Sequence, residues 1–202
     1  MRLLLPGILA MAVIVTASNI LVLHPLGGYL TWGALTYPFA FLVTDLVNRL
    51  HGAAAARRVV LAGFVTGILC SLVIGAFSPL VTFRVALASG LAFLIAQLLD
   101  VAVFDRFRAG RWWRAPLIST LVGSTIDTAI FFSVAFSAAL IWIEPGNDVA
   151  WANAPTAVLG LGPEAPFWVS LAIADWLVKL TLALLTLLPF RFAVARLTTR
   201  VA

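Results

Sequence analysis

Charged residues are scarce in this chain, and their scarcity argues against a soluble protein. Asp, Glu, Lys and Arg make up 10% of its 202 residues, whereas a typical soluble domain has about 25%. The single cysteine, Cys70, allows no intrachain disulfide. The chain has no GxxxxGK(S/T) phosphate loop, and therefore no ATPase of its own. It also has no His, Cys and carboxylate cluster with metal-ligand spacing, so we predict no metal and no cofactor.

Hydrophobic residues make up 63% of the chain and form six segments long enough to cross a bilayer. Turn-forming Gly and Pro residues lie between the segments. The first segment follows Arg2 as a signal peptide would, but we expect it to be retained because a second full-length span follows almost at once. The sequence predicts an all-α polytopic membrane protein, a six-transmembrane-helix bundle forming one domain over residues 1–202. The predicted spans are residues 3–23, 30–48, 59–79, 85–104, 115–143 and 167–189.

The basic residues predict which ends of the helices face the cytoplasm. With the N-terminus inside, all but two of the 13 Lys and Arg residues fall in inner segments, whereas Glu144, Asp148 and Glu164 fall outside. This positive-inside pattern predicts a multi-pass protein of the bacterial inner (plasma) membrane with both termini in the cytoplasm. The net charge of +5 is then a topology signal and does not indicate nucleic-acid binding. The inner basic residues are Arg2, Arg49, Arg57, Arg58, Arg106, Arg108, Arg111, Arg114, Arg191, Arg196 and Arg200.

Four aspartates lie inside the hydrophobic segments. A carboxylate within the bilayer costs roughly 3 kcal/mol on insertion scales, and it is usually tolerated only where it faces protein, a partner charge or water. Four such residues in a chain with so few charges predict a polar pocket inside the bundle. Asp45 and Asp100 lie nearer the cytoplasmic ends of their spans, where contact with Arg49, Arg106 or water is the alternative to a functional role. The four aspartates are Asp45, Asp100, Asp127 and Asp175.

Two of the spans carry the same polar stripe. Residues three and four positions apart share one face of a helix. Each stripe combines a hydrogen-bonding side chain, a carboxylate and an aromatic ring, a set that suits a planar heterocycle with amide-like edges. The stripes are Gln97, Asp100 and Phe104 in the fourth span and Ser124, Asp127 and Phe131 in the fifth. We therefore predict that these residues contribute to a binding site.

The same spacing rule adds further candidates. Asp175 and Lys179 are four residues apart in the sixth span and can form an ion pair. This pair is either a structural contact between helices or part of the site, where it would meet a substrate or a coupling ion. Asn48 lies three residues after Asp45 and shares its face.

Four segments of the chain resemble one known family. They are TYPFAFLVTDLVNRLHG at residues 36–52, RVALASGLAFLIAQLLDVAVFDRFR at 84–108, WWRAPLISTLVGSTIDTAIFFSVAF at 112–136 and ADWLVKL at 174–180. Their joint occurrence, in this order, is specific, although each segment alone is not. On these segments the chain resembles the queuosine precursor transporters, also called the vitamin-uptake-like VUT family.

The resemblance implies six membrane helices and import of a 7-deazaguanine base, in the 7-cyano or 7-aminomethyl form, for tRNA queuosine synthesis or salvage. In this interpretation a carboxylate accepts the ring N–H and the exocyclic amine in a forked arrangement, and Gln97 serves a carbonyl edge. Phe104, Phe131 or Trp176 covers the flat face of the base. Which aspartate meets which edge stays open, and the interpretation predicts that Asp127→Asn abolishes uptake.

Three classes of function are compatible with the sequence. The first is a solute importer for a deazapurine base. The second is the substrate-binding component of a vitamin-type importer that needs a separate ATPase module. The third is a membrane enzyme or assembly factor, but the chain has no Gly-x-Gly-Asp protease element and no serine–histidine–carboxylate set, so we predict that it is not an enzyme. The expected partners are the small molecule and the lipid bilayer. The energy source stays open, and so does the presence of a homo-oligomer or a separate energising module.

Overall fold

A computed structural model describes residues 4–198, and these are mostly helical. The α-helices of this part of the chain are α1 (Leu5–Leu21), α2 (Trp32–Thr36), α3 (Phe39–His51), α4 (Ala53–Gly75), α5 (Phe83–Phe107), α6 (Arg114–Phe136), α7 (Ala150–Asn153) and α8 (Phe167–Thr198). Two short antiparallel hairpins pair β1 (Pro25–Leu26) with β2 (Leu30–Thr31) and β3 (Pro155–Ala157) with β4 (Glu164–Pro166). Short 3₁₀ segments occupy Ala138–Ile143 and Val158–Gly160. The structure is mostly helical, as predicted, but the two short hairpins were not predicted.

Four of the helices, α4, α5, α6 and α8, are long and apolar enough to cross a membrane. The helix α1 is apolar but has 17 residues, and α3 has 13. The predicted span 30–48 is divided in the structure between β2, α2 and α3. The predicted span 115–143 is too long, because α6 ends at Phe136, and span 167–189 is too short, because α8 continues to Thr198. Arg2 and Arg200, which enter the orientation argument, lie outside the described residues.

Pro38 divides the second predicted span. Proline has no backbone N–H and cannot continue the hydrogen-bond ladder of a helix. Here α2 ends at Thr36, and α3 begins at Phe39 with Pro38 as its N-cap. Tyr37 lies at the junction, and its amide donates to the carbonyl of Gly33 at 2.9 Å. The break turns the Tyr37 side chain towards the middle of the bundle, where it contacts α6.

The helices alternate in direction and give the bundle two chemically different ends. The arginine end carries Arg49, Arg57, Arg106, Arg108 and Arg114, and the hairpin end carries both β-hairpins and α7. At the arginine end α3 and α4 are joined by Gly52 alone, whose φ of 85° lies in the left-handed region that glycine adopts without strain. Arg49 Nη1 donates to the carbonyl of Arg108 at 2.7 Å and so ties α3 to the end of α5.

Apolar side chains fill the contacts between helices and also cover the outside of the bundle. Met11 and Val15 of α1 pack with Val59 and Val60 of α4 and with Phe93 of α5 in one buried cluster. After its first turns, which carry the exposed Arg57 and Arg58, the opposite face of α4 is exposed and apolar, as expected for a lipid-facing helix surface. Its exposed residues are Leu61, Val65, Leu69, Leu72 and Val73.

Arg84, near the start of α5, is fully buried and caps the end of α6. Its guanidinium donates to the carbonyls of Val134, at 2.5 Å, and Ser137. Val134 lies in the last turn of α6, where carbonyls have no further intrahelical donors and carry the negative end of the helix dipole, and Ser137 is the C-cap of this helix. The backbone N–H of Arg84 donates to Glu144 Oε2 at 2.9 Å, so the loop after α6 is held as well.

We predict that Arg84→Ala destabilises the protein by about 2–4 kcal/mol, because two partly buried carbonyls lose their charged donor. The measurement is thermal unfolding of the purified protein in detergent. Arg57→Ala, at an exposed position on α4, is the matched control and should leave Tm unchanged. Equal Tm values for the two variants would contradict the capping role of Arg84.

Candidate functional site

A cavity of about 490 Å³ opens among the helices at the hairpin end of the bundle. This size lies within the usual range for small-molecule sites, roughly 300–1,000 Å³. Its walls come from α1, the β1–β2 hairpin, α2, α4, α5, α6, α7 and α8, and most of them are apolar. Its polar side chains include Tyr37, Asp127, Asp175 and Lys179. The cavity therefore has the chemistry of a ligand pocket, with apolar walls and a small convergent polar group.

Lys179 is the centre of this polar group. Its ammonium donates to Asp127 Oδ2 at 2.6 Å, to Thr128 Oγ1 at 3.0 Å and to Asp175 Oδ2. An ammonium has three N–H donors, so the three contacts use all of them. The Lys179 side chain is nearly inaccessible to solvent, and the two ion pairs offset the cost of its burial. The ion pair predicted between Asp175 and Lys179 is present, and Asp127 of α6 makes it a cluster across two helices.

Tyr37 completes the cluster from the junction between α2 and α3. Its hydroxyl donates to Asp127 Oδ1 at 2.8 Å, so both oxygens of Asp127 accept a bond from the protein. The Lys179 ammonium lies 5.4 Å from the centre of the Tyr37 ring, within the range of a cation–π contact. Asp127 is therefore held rigidly by α2–α3 and α8 together.

Asp175 is the more accessible of the two carboxylates. Its side chain is 13% exposed, whereas that of Asp127 is 4% exposed. Its Oδ2 accepts from Lys179 and from Thr128 Oγ1, the latter at 3.0 Å. None of the side chains in the described part of the chain donates to Asp175 Oδ1. This oxygen is the acceptor that the cluster leaves available to a molecule in the cavity.

Aromatic rings form the wall of the cavity on the side of α6. The Phe131 and Phe132 rings lie 5.1 Å apart, centre to centre, in an edge-to-face arrangement. Phe136 continues this wall towards Trp151, at 5.5 Å, and Trp151 contacts Phe167 at 6.3 Å. These rings offer flat apolar surface near the carboxylates, which suits a planar ligand with a polar edge.

The residues predicted from the sequence are divided between two places. Four of them, Asp127, Phe131, Asp175 and Lys179, line the cavity. A second group is buried between α3, α5 and α6, nearer the arginine end, and does not line the cavity. Its members are Asp45, Asn48, Gln97 and Asp100, all at most 2% exposed.

The remaining predicted residues lie apart from the cavity. Phe104 is fully buried and packs against Phe190, with the rings 6.3 Å apart, and under Arg49. Ser124 is buried and donates to the carbonyl of Leu121 on its own helix. Trp176 Nε1 donates to Thr125 Oγ1 at 3.0 Å on the exposed side of α6 and α8. In this conformation the three residues have structural contacts.

Two residues of the cluster, Tyr37 and Thr128, were not among the predicted site residues. Tyr37 precedes a proline within a hydrophobic span, which indicates a helix break and a side chain free to turn inwards. Thr128 follows Asp127 directly, and a threonine within an apolar helix commonly bonds its own backbone. Its role as a bridge between Lys179 and Asp175 depends on the packing of α8 against α6, which no local pattern gives.

Comparison with known proteins identifies the family to which this sequence belongs. The family model described as "Putative vitamin uptake transporter" matches residues 31–194, which contain α2 to α6 and nearly all of α8. The chain belongs to this family of membrane transporters. The family is one of transporters and not of enzymes, and with its apolar helices the chain is a multi-pass bacterial membrane protein.

Named proteins of three bacteria are similar to the chain over most of its length. It is 36% identical to the "Queuosine precursor transporter" of Escherichia coli (strain K12), across 87% of this chain and 79% of the relative. It is 35% identical to the "Probable queuosine precursor transporter" of Haemophilus influenzae, across 79% and 66%. It is 30% identical to the "Probable queuosine precursor transporter" of Bacillus subtilis (strain 168), across 83% and 72%. No solved structure matches the chain significantly.

We predict that Lys179→Met destabilises the protein by about 3–5 kcal/mol, because it leaves two buried carboxylates without their cation. The double variant Lys179→Met/Asp127→Asn should recover part of this loss, because one of the uncompensated charges is gone. Thermal unfolding of the two single variants and the double variant forms a double-mutant cycle that measures the coupling. Strictly additive losses would contradict an interaction between Lys179 and Asp127.

Proposed function

We propose that this transporter imports 7-deazaguanine precursors of queuosine, with the cavity as its substrate site. The observation that carries the proposal is the Asp127–Lys179–Asp175 cluster beside an aromatic wall. The names of the relatives from three bacteria support the same substrate class. The whole chain acts as one transmembrane domain.

We propose six membrane crossings, with α1 and the α2–α3 pair as the two that are not single long helices. The arginine end faces the cytoplasm, in agreement with the positive-inside rule. Both termini are then cytoplasmic, and the cavity lies in the outer half of the membrane. A site in this position receives substrate from outside the cell, as import requires.

The geometry of the cluster favours a ligand with clustered N–H donors. Asp175 Oδ1 accepts from the edge of a guanine-like base, where a ring N–H and an exocyclic amine lie side by side. The flat face of the base packs on Phe131 and Phe132, which line the cavity. Asp127 does not need to contact the substrate directly, since Tyr37 and Lys179 occupy both of its oxygens. Its role is to hold Lys179 in place.

Charge further selects among the deazaguanines. With both carboxylates ionised and Lys179 protonated, the cluster carries a formal charge of −1. A cationic aminomethyl group in the cavity compensates this charge, whereas a neutral cyano group does not. We therefore propose that the site accepts both forms and prefers 7-aminomethyl-7-deazaguanine. Discrimination against adenine follows from its edge, which places an acceptor nitrogen where guanine has a ring N–H.

We predict that Asp127→Asn abolishes uptake of the deazaguanine while the protein still inserts and folds. The substitution removes one of the two charges that hold Lys179, and the formal charge of the cluster falls to zero. The measurement is uptake of labelled 7-aminomethyl-7-deazaguanine by liposomes that contain only the purified chain. With no other protein present, the same assay tests whether the chain transports without an ATPase module.

Asp148→Asn is the matched control, because Asp148 is exposed in the loop before α7 and bonds only the local backbone. Its uptake should equal that of the parent, and the thermal unfolding of both variants checks that they fold. Normal uptake by the Asp127→Asn variant would remove Asp127 from the site. Absence of uptake by the parent chain would show that it needs a further component.

A further inference from the structure

The second buried polar group is distinct from the cavity. Asp45 of α3 is 2% exposed and Asp100 of α5 is fully inaccessible, and neither carboxylate lines the 490 Å³ cavity. Ser119 and Thr120 of α6 contact the Asp45 carboxylate and lie about two helical turns from Asp127 on that helix. These four residues, which we call the inner carboxyl pair and its hydroxyls, lie on the arginine side of the cavity.

The two carboxyl groups pack against the same stretch of α6, and the bonds that Asp45 accepts there come from hydroxyl groups and not from a cation. Asp45 accepts from Ser119 at 3.2 Å and more weakly from Thr120 at 3.5 Å. Neither oxygen of Asp100 accepts a bond from an N–H or O–H group of the described residues. Asp100 packs against the same part of α6 as Asp45, because its Cβ lies 3.3 Å from the position that a Cβ on Gly123 would take, one turn beyond Ser119 and Thr120. Because an ionised carboxylate only accepts, a bond between the two requires a proton on one of them.

Other groups beside the pair are also short of partners. Gln97 Oε1 accepts from Thr44 at 2.7 Å, but Gln97 Nε2 has no acceptor. Asn48 Nδ2 donates to the carbonyl of Val101 at 3.0 Å, but Asn48 Oδ1 has no donor. Buried polar groups without partners are costly, and they are frequently retained for function. Beside the carboxyl pair, these unpaired atoms can form new hydrogen bonds when the pair gains or loses a proton.

Close packing excludes a larger occupant. A Cβ on Gly123 would lie 3.3 Å from Asp100 Cβ and 2.8 Å from Phe41 Cε1, so α5 and α6 are in near contact. The void beside Asp45 and Thr120 measures about 10 Å³, roughly the space of one water molecule. No group of three or more metal-ligating side chains exists among residues 4–198. A heterocycle does not fit here, whereas a proton does.

Few charged groups surround the pair. On α3, Arg49 is one turn from Asp45 and directs its guanidinium to the carbonyl of Arg108 and over Phe104. Arg108, at the end of α5, bonds the carbonyls of Asn48 and Arg49 and the carboxylate of Asp105. The neighbouring helix α6 presents hydroxyls, and α8 presents Ala183, Thr186, Leu187 and Phe190. Ala40 and Val47 of α3 share one buried hydrophobic cluster with residues of α1 and α4.

We propose that the Asp45–Asp100 pair binds the proton that crosses the membrane together with the substrate. The proposal rests on the transport function proposed above, and it makes the inner carboxyl pair the coupling site and the cavity the substrate site. The two sites share α6, and they also share α3 together with its N-terminal junction at Tyr37. A change at one site therefore reaches the other through rigid helices, about 10 Å apart along α6.

The test uses liposomes that contain the purified chain, a pH-sensitive dye inside, and 7-aminomethyl-7-deazaguanine outside. For the parent chain we expect substrate-dependent acidification of the lumen and accumulation of substrate driven by an inward proton gradient. The Asp100→Asn and Asp45→Asn variants should lose the acidification and the gradient-driven accumulation of substrate. Exchange of labelled for unlabelled substrate across the membrane should continue in both variants. Asp105→Asn, at an exposed position one turn further along α5, is the matched control and should behave as the parent does.

Several outcomes would overturn the proposal. Substrate accumulation by the parent chain without proton movement would contradict proton coupling but leave the transport function intact. This measurement uses only the parent chain, so it does not depend on the folding of a variant. Acidification that persists in the Asp100→Asn and Asp45→Asn variants would contradict the assignment of the proton to this pair. Accumulation driven by a sodium gradient at equal pH would assign the oxygen-rich pair to Na⁺ instead. Absence of exchange in the parent would remove the transport function, and the coupling proposal with it.

Discussion

The burial of Lys179 between Asp127 and Asp175 is the constraint from which the rest of the site follows. A lone ammonium at this depth would be costly, and either carboxylate alone would be as well. The three charges remain buried because α6 and α8 bring them into contact. The break at Pro38 then brings the Tyr37 hydroxyl to the free oxygen of Asp127. Each donor of Lys179 is used, and the remaining capacity of the cluster is one oxygen of Asp175, directed to an aromatic-walled cavity.

Part of this arrangement could be predicted from local sequence. Helical periodicity and the rule that charges avoid lipid are sufficient to predict that Asp127, Asp175 and Lys179 face the bundle interior, and i, i+4 spacing predicts the pair on α8. The sequence did not predict that the intramembrane aspartates form two groups. That division depends on the register between α5 and α6, where Gly123 allows close contact with Asp100. Register between distant helices is set by the whole packing and leaves no local pattern. The break at Pro38, in contrast, had a local signal in the proline itself.

The bundle contains two polar groups with different chemistry, and α6 contributes residues to both. The group at the cavity is charged, partly accessible and surrounded by aromatic rings, so it suits recognition of a ligand. The inner carboxyl pair is inaccessible and short of hydrogen-bond donors, so it suits a proton. Gly123 and Ser124 of α6 lie between them, and small side chains at such positions allow helices to approach closely. In the coupling mechanism that we propose, substrate and proton act on one helix without sharing a site.

The most direct test of the cavity cluster as a base-recognition site is ligand-induced thermal stabilisation of the purified protein. A ligand that binds only the folded protein raises Tm with its concentration. We expect that 7-aminomethyl-7-deazaguanine raises Tm most, that the 7-cyano form raises it less, and that adenine leaves it unchanged. We also expect that Asp175→Asn removes the advantage of the aminomethyl form. Equal stabilisation by adenine, or an unchanged preference in the Asp175→Asn variant, would contradict recognition by this cluster.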